Sequence, residues 1–84
     1  MNTTFLLMAE YGTAVIPLEI VAERYLGLDT RAAKARAKHG ELPFPAYRDA
    51  SQKAPWLVHV SDLAEWIDAE RAKARADLLA RRVA

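Results

Sequence analysis

Cysteine is absent from this 84-residue chain, and glycine, proline and aromatic residues are all scarce. The lack of cysteine excludes disulfide bonds and thiolate metal sites, which fits a reducing cytoplasm. The opening MNTTFLLMAEYG contains a short apolar run, but no basic leader precedes it and no small-residue cleavage site follows it. The sequence therefore predicts neither a signal peptide nor a membrane span, and we expect a cytoplasmic protein with no membrane partner.

Length allows one domain and little more. A chain of this size builds a single modest core that is marginally stable, so a second subunit or a nucleic-acid partner would help to hold it. We find no internal repeat, low-complexity linker or second domain in the sequence. The prediction is a single domain over residues 1–84.

Charge is unevenly distributed along the chain, although the formal net charge is only +1. Residues 1–28 carry one Arg against three Glu, residues 29–59 carry six Lys or Arg against three acids, and residues 60–84 carry five of each. Positive charge is thus concentrated in the middle of the chain. This asymmetry favours a polyanionic partner, and a solvated helix face is the alternative interpretation.

Residues 16–40 have the pattern of two helices joined by a tight turn. The first helix is predicted to begin at Pro17, because the first helical position does not need an amide hydrogen. Gly27 can adopt the left-handed conformation that ends this helix, Leu28 can fill the turn, and Asp29 or Thr30 can cap the next helix. The order of these signals predicts a helix-turn-helix.

The second helix of this pair, predicted over Arg31–His39, is basic on one side. At about 100° per residue its small residues Ala33 and Ala37 face the first helix, while Arg36 lies between the two sides. Long cations on the exposed side could reach DNA phosphates or a guanine edge. The candidate DNA-binding residues on this side are Thr30, Arg31, Lys34 and Lys38.

Residues 43–60 are predicted to form a hairpin, the wing of the motif. Strands over 46–48 and 56–60 would enclose the tip DASQKAP, with alternate residues of the second strand packing inward. An exposed hairpin of any protein could have this composition, but the basic helix before it favours a role in binding. The candidate DNA-binding residues of the wing are Arg48, Ser51, Gln52 and Lys53.

A long C-terminal helix is predicted over 61–84, with Ser61 as its cap and with Leu63, Trp66 and Ile67 closing the core. Further along, small and apolar residues recur at alternating spacings of three and four, as on a helix–helix seam. The seam favours a homo-oligomer, a dimer or higher, and a projecting solvated helix is the alternative. Its members are Ala69, Ala72, Ala76, Leu79 and Val83.

Signatures of catalysis are missing from the sequence. The two histidines lack a third ligand at metal-site spacing, the three glycines form no phosphate-binding motif, and neither Ser51 nor Ser61 lies in a nucleophile elbow. The carboxylate pairs fall on helical surfaces, where charge usually means solvation. We expect no catalytic residue, no metal ligand and no cofactor, and hence not an enzyme.

Four segments resemble one known family: MNTTFLLMAEYG, AVIPLEIVAERYLGL, GELPFPAYR and SQKAPWLVHVSDLAEWID. They are similar to the pyocin activator protein (PrtN) family of bacterial transcription regulators, over residues 1–68. More broadly, residues 15–67 resemble excisionase and AlpA-like proteins. The fold expected is mainly α with a small β-hairpin, a winged helix-turn-helix of excisionase or MerR type, with an N-terminal extension over 1–15 and the long C-terminal helix.

The resemblance implies a nucleoid-associated activator that binds double-stranded promoter DNA of bacteriocin (pyocin-like) or prophage genes and engages RNA polymerase. It also implies that the basic helix enters the major groove while the Ser51–Lys53 tip touches the adjacent backbone or minor groove. Two alternatives stay open at this point. The chain could be an excisionase-like architectural protein that bends DNA, or a module that binds a protein partner.

Overall fold

The computed structural model describes residues 2–48 and 53–83, and its elements follow one another with short connections. The elements in chain order are α1 (Thr3–Tyr11), β1 (Val15–Pro17), α2 (Leu18–Val21), α3 (Thr30–Lys38), β2 (Leu57–His59) and α4 (Val60–Val83). Helix α2 continues as a π-helical turn over Ala22–Leu26. The fold is mainly helical with a small antiparallel sheet and a long C-terminal helix, which confirms the coarse fold predicted from the sequence.

Helix α1 was not predicted, because its residues are apolar on nearly every side and give no helical periodicity. Its boundaries nevertheless have clear physical causes. The Asn2 side chain accepts a hydrogen bond from the Phe5 backbone N–H at 2.8 Å, and Gly12 ends the helix at φ 70°. Helix α1 packs against α4, where Leu7 is buried and Thr3 donates to the Asp68 carboxylate at 2.6 Å. The N-terminal extension is therefore part of the folded domain.

The helix pair predicted over residues 16–40 is present, with small shifts in its boundaries. Pro17 stands just before α2 rather than inside it, and the first helix ends in the π-helical turn. Gly27 adopts the left-handed conformation predicted for it, with φ 65°. The Asp29 carboxylate accepts a hydrogen bond from the Ala32 N–H at 2.8 Å, so Asp29 is the cap of α3.

The strand pairing corrects the predicted hairpin. Strand β2 pairs mainly with β1, in the register Val15 with His59 and Pro17 with Leu57. On the other side of β2, Tyr47 forms a single bridge to Leu57, with backbone N–O distances of 3.0 and 2.7 Å in the two directions. Leu57 thus directs its N–H and C=O toward Tyr47, and Pro17 lies opposite it in a position that requires no donor. Residues 49–52 of the predicted tip lie outside the described residues.

The start of α4 also differs from the prediction. The helix begins at Val60, and Ser61 is already inside its first turn. His59, the preceding residue, performs the capping role, because its Nδ1 accepts a hydrogen bond from the Ser61 backbone N–H at 3.1 Å. Ser61 Oγ lies 2.7 Å from the same nitrogen. The prediction of Ser61 as the cap is wrong, since the strand runs directly into the helix.

The core lies between α2, α3, the sheet and the first turns of α4. Val21, Ala22, Val58, Val60 and Leu63 have no exposed surface. Most of the residues predicted to face inward are buried or half-buried, whereas Leu7, Ile16 and Ala64 join the core without having been predicted. The remaining buried residues are Leu18, Ala33 and Phe44.

A polar cluster fastens α1 to the π-helical turn. Arg24 forms an ion pair with Glu10 and donates to the Tyr11 hydroxyl at 3.1 Å, and that hydroxyl lies 3.2 Å from the Tyr25 hydroxyl. The hydrogen bond with Glu10, and then its charge, raise the pKa of the Arg24 guanidinium. Burial, followed by the hydrogen bond with Tyr11, raises the pKa of Tyr25 to about 12.

We expect this cluster to make stability sensitive to alkaline pH. Tyrosine ordinarily has a pKa of about 10, so the folded state holds the Tyr25 proton more tightly than the unfolded chain does. The associated stability is complete below pH 10 and is lost as pH rises toward 12. Urea unfolding over that pH range should show a smaller decline for Tyr25→Phe than for the wild type. A decline of equal size would contradict the assignment, and Tyr47→Phe is the matched exposed control.

Candidate nucleic-acid interface

Helix α3 presents its cations to solvent because its small residues pack inward. Ala33 is buried against the rest of the pair and Ala37 is half-buried, whereas Arg31, Lys34 and Lys38 are exposed. The short methyl side chains allow the helix to lie close to α2, and the long cations are left on the opposite side. The division predicted from helical spacing is therefore present in the structure.

A groove of about 460 Å³ runs between α3, the start of α2 and a wall formed by Arg48 and residues 53–56. Thr30 and Lys34 line it from α3. Arg48 and Lys53 line it from the segments on either side of residues 49–52. Lys34 and Arg48 also border a second groove of about 300 Å³, together with Lys38. The structure thus brings together five of the eight predicted site residues, namely Thr30, Lys34, Lys38, Arg48 and Lys53.

The other three predicted residues are Arg31, Ser51 and Gln52. Arg31 is exposed on the first turn of α3, but it lines neither groove. Ser51 and Gln52 lie outside the described residues. The structure thus places Lys34 and Lys38 beside Arg48, and the DNA-binding role of these residues stays a prediction.

The backbone fixes where the second wall of the groove lies. The Leu18 N–H donates to the Trp56 carbonyl at 2.9 Å, which joins the first turn of α2 to the residue before β2. The Tyr47–Leu57 bridge holds the other end of this wall next to the sheet. These backbone hydrogen bonds therefore fix the backbone at Trp56 and next to Arg48.

Trp56 is a site residue that the sequence analysis did not identify. The Arg48 guanidinium lies 4.6 Å from the centre of its ring, a distance typical of a cation–π contact. The indole also lines both grooves. Alternation along the strand puts Trp56 in the same set as Val58 and Val60, and the residue is half-buried. Its spacing gave no signal of this contact, which depends on the Tyr47–Leu57 bridge.

Glu19 gives the groove a carboxylate as well as cations. It lies in the first turn of α2 and lines the larger groove beside Lys34. A carboxylate repels phosphate, but it can accept a hydrogen bond from the amino group of cytosine. The groove thus combines cations, which can pair with phosphates, with a carboxylate that can accept a hydrogen bond from a base.

Metal-ligating side chains do not converge in the part of the chain that the structure describes. Within those ranges no three His, Asp or Glu residues are close enough to hold a metal ion. The same ranges include no helix that is both long and apolar enough to cross a membrane.

The fold and the groove together define a small, mainly helical protein with a basic helix beside a basic loop segment. The family model for pyocin activator protein PrtN matches residues 3–74, and the chain belongs to this family. The family resemblance stated from the sequence is thereby confirmed. Comparison with curated proteins and with solved structures gives no match.

Proposed function

We propose that this protein is a sequence-specific DNA-binding activator of transcription of pyocin-like bacteriocin or prophage genes. The observation that carries the proposal is the groove in which Lys34 of α3 lies beside Arg48 and Lys53. Membership of the pyocin activator family supports activation of pyocin genes in particular. The chain acts by binding alone, with promoter DNA and RNA polymerase as its partners.

In this proposal α2, the π-helical turn and α3 form a helix-turn-helix, and the two segments that the Tyr47–Leu57 bridge joins belong to its wing. The exposed side of α3 enters the major groove, where Lys34 reaches base edges. Arg48 and Lys53 contact the phosphate backbone beside it, which fixes the orientation of the protein on the duplex. The cation–π contact with Trp56 holds the Arg48 guanidinium in place before DNA arrives.

Binding to duplex DNA should depend strongly on salt. The five cations Arg31, Lys34, Lys38, Arg48 and Lys53 would neutralise about five phosphates per subunit, so the slope of log affinity against log salt should be about −4 to −5. Fluorescence anisotropy with promoter fragments from a bacteriocin gene cluster measures this slope. A flat salt response, or no binding to any such fragment at low salt, would exclude the proposal.

The excisionase-like alternative predicts a different product of binding. An architectural protein bends the duplex strongly, and the free energy that this deformation costs depends on the DNA sequence. Circular-permutation mobility of the bound promoter fragment measures the bend. An activator is supported if the fragment stays nearly straight and transcription in a reconstituted RNA polymerase assay increases.

A further inference from the structure

The distal half of α4, residues 71–83, projects from the rest of the protein. Every residue from Asp68 to Val83 is exposed, and the molecule is 52 Å long but only 28 by 18 Å across. This half nevertheless carries large apolar side chains, since Leu79 is 60% and Val83 is 85% exposed. A solvated helix gains nothing from such residues, so the distal half has the composition of a surface that packs against another chain.

Charge along α4 is separated between its two halves. Residues 60–70 contain four acids and no Lys or Arg, whereas residues 71–83 contain five Lys or Arg and one Asp. The helix dipole favours acids in the first turn and cations in the last. That effect falls off within one turn, and it does not account for Glu65, Glu70 or Arg75.

An open groove of about 510 Å³ lies along the proximal half of α4, between this helix and the Pro43–Pro45 segment. Its apolar floor includes Trp66, whose ring meets that of Phe44 edge-on at 5.6 Å. Its rim carries three acids, Asp62, Glu65 and Glu70, and one cation, Lys73, whose Nζ lies 3.1 Å from the Glu70 carboxylate, so the rim is acidic on balance. An apolar floor with an acidic rim is complementary to a helix that is apolar on one side and basic on its flanks.

We propose that this groove binds the distal half of α4 from a second copy of the same chain, in an antiparallel, two-fold symmetric dimer. Such a dimer contains two equivalent contacts, in each of which the exposed Leu79 and Val83 of one copy are buried in the groove of the other. It also places each acidic half against a basic half. The inference is independent of DNA binding, because none of the surfaces involved belongs to the α3 groove.

The orientation follows from the charges and from the small residues of the seam. A parallel pair would set four acids against four acids and five cations against five, which is unfavourable along its whole length. An antiparallel pair matches opposite charges at both ends. Ala69, Ala72 and Ala76 lie around the middle of α4, where the helices would cross and where methyl side chains allow close approach.

The test reverses charge on each half separately in the full chain. Sedimentation equilibrium of the wild type at several concentrations should give twice the 9.4 kDa of one chain. The variants E65K/E70K and R75E/R82E should each remain monomeric, since each sets like charges together at both contacts. Mixing the two variants in equal amounts should restore the dimer, because opposite charges then meet again.

Circular dichroism checks that both variants fold. E23K/E41K is a matched control, because both acids are exposed and lie outside this groove and outside α4. A wild type that is monomeric at every concentration overturns the proposal, as does a mixture that stays monomeric when both variants are folded. Dimeric E65K/E70K also overturns it. If R75E/R82E loses DNA affinity while its mass equals that of a monomeric wild type, the distal half is a DNA-binding surface instead.

Discussion

Leu63→Ala should lower the free energy of unfolding by about 2 to 5 kcal/mol, the usual cost of emptying a fully buried leucine site. Leu63 has no exposed surface and lies where α4 meets the rest of the core. A natural domain of this length has a total stability of about 4 to 13 kcal/mol, at 0.05 to 0.15 kcal/mol per residue. The substitution therefore removes a large fraction of the stability and should leave a measurable unfolded population.

Urea unfolding followed by circular dichroism measures the loss directly. Leu6→Ala is the matched control, because it makes the same change on the exposed side of α1, where Leu6 is 52% exposed. Surface substitutions usually change stability by about 0.5 kcal/mol or less. Equal losses for the two variants would contradict the core assignment, since burial is the property that separates them.

The Leu63 assignment is among the features that the sequence predicted correctly, and the reason is its periodicity. The three- and four-residue spacing of Leu63, Trp66 and Ile67 defines one side of a helix without any tertiary information. The same is true of α3, where two alanines define the inner side and the cations the outer. Local signals at Asp29 and Gly27 fixed the turn between the helices.

The sheet could not be predicted in this way, because its pairing is not local. Residues 57–59 read clearly as a strand, and the nearest extended segment, residues 46–48, was the natural partner. The main partner is instead Val15–Pro17, whose residues lie 40 to 44 positions before the ones they pair with. Three residues ahead of a helix give too short a pattern to identify as a strand. A pairing between segments so far apart closes a long loop, and no local sequence pattern identifies the partner strand.

Helix α1 was missed for a different reason, which concerns its surroundings. Its residues Phe5, Leu6 and Met8 are exposed even though they are apolar, so the helix has no polar side that would reveal its period. Only Leu7 is buried by α4. The contact of Arg48 with Trp56 in the candidate site could not be predicted from the sequence either. It depends on the Tyr47–Leu57 bridge, which residue spacing does not indicate.

Lys34 and Lys53 line the same groove, yet the loss of each should have a different effect on DNA binding. Lys34 lies in the middle of α3 on its exposed side, where a long cation reaches a guanine edge. Lys53 follows the tip of the proposed wing, a position suited to a phosphate. We therefore expect Lys34→Ala to impair sequence recognition, and Lys53→Ala to impair affinity for any duplex.

Lys34→Ala should cost roughly 1 to 3 kcal/mol on the cognate site, which is about 5- to 150-fold in affinity, and much less on a scrambled duplex. Lys53→Ala should weaken binding to both duplexes nearly alike and should reduce the salt slope by about 1. Arg36→Ala, on the same helix but outside both grooves, is the control for a general loss of charge. It should leave the ratio of the two affinities unchanged.

Titration of all three variants against cognate and scrambled duplexes gives these ratios, with circular dichroism to confirm that each variant folds. The decisive quantity is the ratio of cognate to scrambled affinity rather than either affinity alone, because salt-dependent phosphate contacts cancel in it. If Lys34→Ala weakens both duplexes equally, α3 is an electrostatic anchor. Specificity would then have to come from the proposed wing or from the shape of the DNA, because a lysine that reads a base cannot leave the ratio unchanged.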